Sequence, residues 1–167
     1  MSDRFSRLLK HAFTTQAQAR RVFPVPAQER LRQAIAEGEA RHRGELRLII
    51  EAAMPLRKVW RGVGTRQRAL DLFGTYRVWD TEENNGVLLY LNLAERSAEL
   101  IADRSAARAI TDPEWHAICS PMLDAFRRGE FEQGALAAIQ SIHNELTEAF
   151  PSNQAAVNTQ PDEPLML

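Results

Sequence analysis

Apolar residues recur along the chain with two different periods, and the switches between them outline the elements. Residues 4–13, RFSRLLKHAF, place Phe5, Leu8, Leu9 and Phe13 at helical spacing with Arg4, Arg7 and Lys10 between them, which predicts a short basic amphipathic helix. The two prolines of FPVPAQ, residues 23–28, predict a connector. From 27 to 42 a stripe of Leu31, Ala34, Ile35 and Gly38 predicts a helix. In GELRLIIEAAM, residues 44–54, Leu46, Leu48 and Ile50 share one side, the pattern of a strand in a mixed sheet. TRQRALDLFGTYRVW, residues 65–79, returns to a broad helical stripe.

The run GVLLYLNLA from Gly86 is too uniformly apolar to face water on either side and predicts a central strand. ERSAELIADR follows so closely that the two must pair as an antiparallel hairpin. A turn centred between Glu95 and Arg96 sets Leu88 opposite Asp103 and Gly86 opposite Ser105. Thr111-Asp112-Pro113-Glu114 reads as a helix start with a capping box. The helix it opens carries Trp115, Ile118, Cys119, Met122, Leu123 and Phe126, and Pro121 should kink or divide it. A last helix carries Leu136, Ile139, Ile142, Leu146 and Phe150 up to Pro151. The order predicts an α/β sandwich around a small mixed sheet, its strand–helix–strand unit a right-handed parallel crossover. Residues 1–26 form the basic helix and linker, 27–151 the α/β domain, and 152–167, polar and Pro-containing, a disordered tail.

Charge changes this picture. The net charge is −1, which gives no global case for nucleic-acid binding, but residues 1–79 hold 16 Lys/Arg against 7 Asp/Glu and residues 80–167 hold 5 against 15. The halves complement each other, or the basic half meets an acidic partner. The single cysteine, Cys119, excludes an intramolecular disulfide. The start lacks a signal-like apolar stretch and no segment reaches the roughly 18 to 20 apolar residues of a bilayer span, so a cytoplasmic chain is expected, peripheral to the inner membrane at most. The N-terminal helix can dock on the domain, on a partner or on an anionic membrane surface.

WDTEENNG, residues 79–86, puts three carboxylates directly before the most apolar strand. The hairpin carries Asp103 back to the same edge, so Asp80, Glu82, Glu83 and Asp103 form a candidate site for Ca²⁺ or Mg²⁺. The alternative is a turn at Asn84-Asn85-Gly86 with the acids solvated or paired to Arg77, Arg104 and Arg108. Cys119 lies on an apolar stripe and reads as core, while His42 and His143 read as surface or boundary residues. His116 and Cys119 have no second ligand pair for zinc. If the chain hydrolyses phosphate esters, metal-assisted attack at the Asp80/Glu82/Asp103 edge with Arg104 contacting phosphate is the route these residues offer. No motif points to an organic cofactor.

WDTEENNGVLLYLNLAERSAELIAD and ITDPEWHAICSPMLDAFRRGEFEQGALAAI resemble the TPM domain family over roughly residues 27–151. The likeness rests on Asn85-Gly86 before an apolar strand, the hairpin, Thr111-Asp112, Pro121 and FRRGEFEQG. It is narrowest to a bacterial branch without secretion signal or membrane tail. The resemblance implies a Rossmann-like α/β/α sandwich, a phosphatase label, calcium binding in some relatives, and a protein partner of the LemA membrane-protein type. Two positions depart from the pattern. Asn84 stands where the family often has Asp, and RSAARAI lacks the usual glycines, so a phosphate is approached less readily there.

Overall fold

The structure, a computed structural model, describes residues 2–152 and 159–167, with side chains from Arg4 onward. Its elements are α1 (Ser2–Phe13), α2 (Gln16–Val22), α3 (Val25–Glu39), β1 (Glu45–Glu51), α4 (Leu56–Trp60), α5 (Thr65–Thr75), β2 (Gly86–Asn92), β3 (Ser97–Ala102), α6 (Arg104–Ala109), α7 (Asp112–Arg127), α8 (Phe131–Ala149) and β4 (Leu165–Met166). The sheet order is β3-β2-β1-β4, with β1 parallel to both β2 and β4 and with β2 antiparallel to β3. This is the expected mixed-sheet α/β sandwich with its hairpin. Among the described residues no helix is long and apolar enough to cross a membrane.

Strand alternation divides the core in two. Leu46, Leu48 and Ile50 of β1 join Val87, Leu89 and Leu91 of β2 on the face covered by α3, α7 and α8. Ile49, Leu88, Tyr90 and Ile101 point the other way, against Ala69 and Leu72 of α5 and against Val78. Burial on both faces explains why β2 reads as continuously apolar.

Several boundaries differ from the sequence expectation. The segment 23–28 is no connector: Pro24 is the N-cap of α3 and Pro26 lies in its first turn, where a missing N–H costs nothing. α5 stops at Thr75 rather than 79. α7 continues through Pro121 as one helix. In the hairpin Asn92 pairs with Ser97, which moves the turn by one residue and sets Leu88 opposite Ile101, not Asp103. A partner shift of two preserves every side-chain face.

The largest difference lies at the carboxyl end. Residues 153–158 of the expected disordered tail lie outside the described residues, but 159–167 pack on the domain. Leu165 and Met166 pair with Ile49 and Ile50, and the Leu167 N–H donates to the Ile50 carbonyl at 2.9 Å. The polarity that reads as disorder has buried partners. Thr159 donates through N–H and Oγ1 to the Glu45 carboxylate, and Arg47 donates to the carbonyls of Pro161 and Glu163 at 2.6 and 3.0 Å. Buried charged residues on β1 would otherwise lack satisfaction.

Candidate functional site

The acidic loop is built by short-range bonds. Thr81 Oγ1 accepts from the Asn85 N–H at 3.1 Å, and Asn85 Nδ2 donates to the Arg43 carbonyl at 2.8 Å. Asn84 takes a positive φ of 52°, which Asn tolerates better than most residues. Gly86 must lack a side chain, because a Cβ there would lie 2.0 Å from the Val78 carbonyl oxygen. The motif Asn84-Asn85-Gly86 is thus explained by the turn itself.

The hairpin does bring Asp103 to this rim: its N–H donates to the Gly86 carbonyl at 2.8 Å, and the Ser105 N–H donates to the Asn84 carbonyl at 2.9 Å. The four candidate carboxylates nevertheless have separate surroundings. Asp80 pairs with Arg77 at 2.7 Å, Glu83 pairs with Arg43 at 2.5 Å, and Glu82 is exposed. Asp103 Oδ1 caps α6 by accepting from the Arg104 N–H at 2.7 Å, while Oδ2 is buried without a hydrogen-bond partner among the described residues. Arg104 donates to Asn84 Oδ1 at 3.2 Å. Among the described residues no group of three or more His, Cys, Asp or Glu is placed to hold a metal ion.

Two histidines expected at the surface or its boundary are in the core. His42 and His143 are both fully buried, and His42 Nε2 lies 2.7 Å from His143 Nδ1. A second buried network joins β1, β2 and α5: Arg68 forks onto Glu51, the Tyr90 hydroxyl donates to Glu51 Oε2 at 2.6 Å, and Asn92 Nδ2 donates to that hydroxyl at 2.8 Å. Burial pushes the Cys119 thiol up to about 11, so it stays protonated at neutral pH.

The unusual geometry belongs to α1, which docks on the domain with its polar side. Arg7 reaches Glu95 Oε1 and the Val63 carbonyl, both at 2.6 Å. His11 is buried, with Nε2 2.8 Å from Glu95 Oε1 and Nδ1 accepting from the Met54 N–H at 3.1 Å. Burial opposes the Glu95 charge, but bonds from His11 and Arg7 outweigh it and hold its carboxyl below the usual range.

The apolar side of the same helix faces outward. Phe5 is 65% exposed, Leu9 41% and Phe13 71%. Burial of one such side chain is worth about 1.5–3 kcal/mol, so leaving three outside forgoes more than the Arg7–Glu95 pair returns. Beside this face runs a groove of about 1070 Å³ whose walls include Phe5, Leu9, Phe13, Val22, Leu93 and Phe131. Lys10 and Arg96 stand exposed among its walls, and Glu95, the acid there, is already committed. Hydrophobic periodicity alone revealed the amphipathic helix; nothing in it says which side is turned in.

The TPM domain model matches residues 18–145, so α1 precedes the matched region. None of the curated proteins compared matches the chain. Among solved structures, the BA42 protein from the psychrophilic bacterium Bizionia argentinensis, determined by NMR, is similar in fold. Its TM-score is 0.77 at 21% identity, covering 86% of this chain and 94% of that one. With the family model spanning most of its length, the sheet and helices in place and the Asn85-Gly86 turn explained, this chain belongs to the TPM domain family.

Proposed function

We propose that the chain is a binding module whose α1 groove receives the apolar face of an acidic amphipathic helix from a membrane-associated protein. The observation that carries this reading is the orientation of α1, Arg7 and His11 inward and Phe5, Leu9 and Phe13 outward. A concave apolar groove suits a helix with anchors at i, i+3/i+4 and i+7, and Lys10 and Arg96 favour acids at its edges. LemA-type proteins are the first partners to try. The test is binding of a soluble helical segment of such a protein to the full chain by calorimetry. Phe5→Ser with Phe13→Ser should abolish binding and leave the melting midpoint unchanged, and Lys10→Glu with Arg96→Glu should weaken it at least tenfold. Binding instead to vesicles containing phosphatidylglycerol, with no affinity for the segment, would overturn the protein-partner reading.

A metal-dependent phosphatase is the second reading, and one observation favours it: the buried Asp103 Oδ2, without a hydrogen-bond partner among the described residues, next to Arg104 in the chain. A divalent cation on that oxygen would raise the melting midpoint at millimolar Ca²⁺ or Mg²⁺. Metal-dependent turnover of a generic phosphate ester that disappears in Asp103→Asn would establish it.

A further inference from the structure

Among the described residues no strand pairs with the outer edge of β3, and the direction of that edge can be read from the hairpin. The Asp103 N–H bonds to Gly86, the residue opposite it, which sets the phase of the antiparallel ladder. Odd-numbered residues of β3 therefore direct their backbone groups at β2, and Ala98, Leu100 and Ala102 direct theirs away from the sheet. The position of Arg66 agrees: its Nη1 donates to the Leu100 carbonyl from outside at 2.5 Å. Among the described residues, the Ala98 N–H and carbonyl and the N–H groups of Leu100 and Ala102 have no partner.

This edge opens into a cleft of about 450 Å³ rather than onto a blunt surface. Ala98, Leu100 and Ala102 form its floor, Trp115 and Cys119 of α7 form one wall, and Arg66 stands at the mouth. The strand contributes small side chains at Ala98 and Ala102, which leaves room between strand and helix. Arg66 is 62% exposed and meets Glu99 only at 3.8 Å, so its guanidinium retains donors facing the cleft. Glu99 itself is engaged by Thr65 Oγ1 at 2.7 Å.

We propose that β3 and α7 form a strand-addition site for an extended segment of a partner protein bearing a carboxylate opposite Arg66. The incoming backbone bonds to Ala98, Leu100 and Ala102, and its alternate side chains fall on Trp115 and Cys119. Arg66 guards the edge until then: it releases the Leu100 carbonyl to the added strand and turns to the carboxylate, a bidentate match for its planar fork. The site is separate from the α1 groove.

The probe is the blocked hexapeptide Thr-Val-Glu-Val-Thr-Val against its Lys-for-Glu counterpart, at millimolar concentration with the full chain, read by amide hydrogen exchange and NMR shifts. The acidic peptide should protect the amides of Ala98, Leu100 and Ala102 and bind at least tenfold more tightly than the basic one. Ala98→Pro removes an N–H that the fold does not use, so the domain should stay folded and lose the peptide. Arg66→Gln should erase the preference between the peptides, and Phe5→Ser should change nothing. No protection of the three amides, or equal affinity for both peptides, overturns the proposal. Protection that rises with protein concentration in the absence of peptide also overturns it, because the occupant is then a second copy of the chain.

Discussion

His42 Nε2 lies 2.7 Å from His143 Nδ1, the rings 5.0 Å apart and stacked, where the end of α3 meets α8. One nitrogen donates and the other accepts, which requires at least one neutral ring. Burial pulls His42 down to about 4 and His143 down to about 3, with His42 and Arg41 adding to the effect on the latter.

Acid should therefore unfold the domain through this pair. Unfolded histidines take up protons near pH 6.5, whereas the folded ones refuse them until about 4 and 3. Their contribution is full above pH 6.5 and is lost as the pH falls, on the order of 1 kcal/mol per pH unit for each. Urea unfolding at pH values between about 7 and 4 checks this. His143→Phe should remove one histidine's share of the slope, which Glu39 already opposes above about pH 4.5, and an unchanged slope would show that other groups control acid unfolding.

Glu39 works in the opposite direction. Burial pushes its carboxyl up to about 8 against the bond from the Leu46 N–H, with Asp162 and Glu45 also raising it. The folded chain keeps a proton that the unfolded chain releases near 4.5, so this contribution is complete below 4.5 and vanishes as the pH climbs through about 8. Where the two limbs overlap, two histidines outweigh one carboxyl, and stability should peak near pH 6.5. Glu39→Gln should flatten the alkaline limb and steepen the acid one between about pH 4.5 and 6.5, as measured by the denaturant midpoint from about pH 4.5 to 9.

Gly38→Ala should destabilise the domain. Alanine gains about 1 kcal/mol over glycine inside a helix, but its Cβ would lie 2.1 Å from His143 Cδ2. Overpacking of a buried ring costs about 1–3 kcal/mol, so the clash wins. A variant as stable as the parent would mean that α8 can slide away from α3.

Removal of residues 159–167 should cost about 2–5 kcal/mol. It uncovers the β1 edge and strips Glu45 and Arg47 of Thr159 and of the carbonyls that satisfy them. A melting midpoint that survives the deletion would make the segment an ornament on the domain.

The elements legible from sequence were those whose period is strong and local: β2, α8, the Thr111–Glu114 helix start and the hairpin. Their apolar pattern and caps are decided within a few residues. The reading failed where distant chain decides the outcome. β4 is two residues long and is defined by β1, more than a hundred positions away, and His42 has no visible reason to be buried until α8 brings His143 to it. Pro24 and Pro26 were read as breakers, though the same chemistry opens a helix. At the rim, the meeting of Asp103 with the loop was legible from the hairpin and Arg77 was a foreseen partner, but Arg43, which takes Glu83 from forty residues away, was not. The exposed face of α1 was hidden for a different reason: amphipathicity fixes two sides, and Glu95 and Met54 choose between them.

The pairing of β4 with β1 also bears on how the molecule is made. As the polypeptide leaves the ribosome, β1 emerges early and finds β2 about forty residues later, yet its other flank waits until Leu165 appears. Throughout that interval a nascent chain displays Ile49 and Ile50 beside an open ladder, an invitation to mispairing that ends only with the late arrival of Leu165 and Met166.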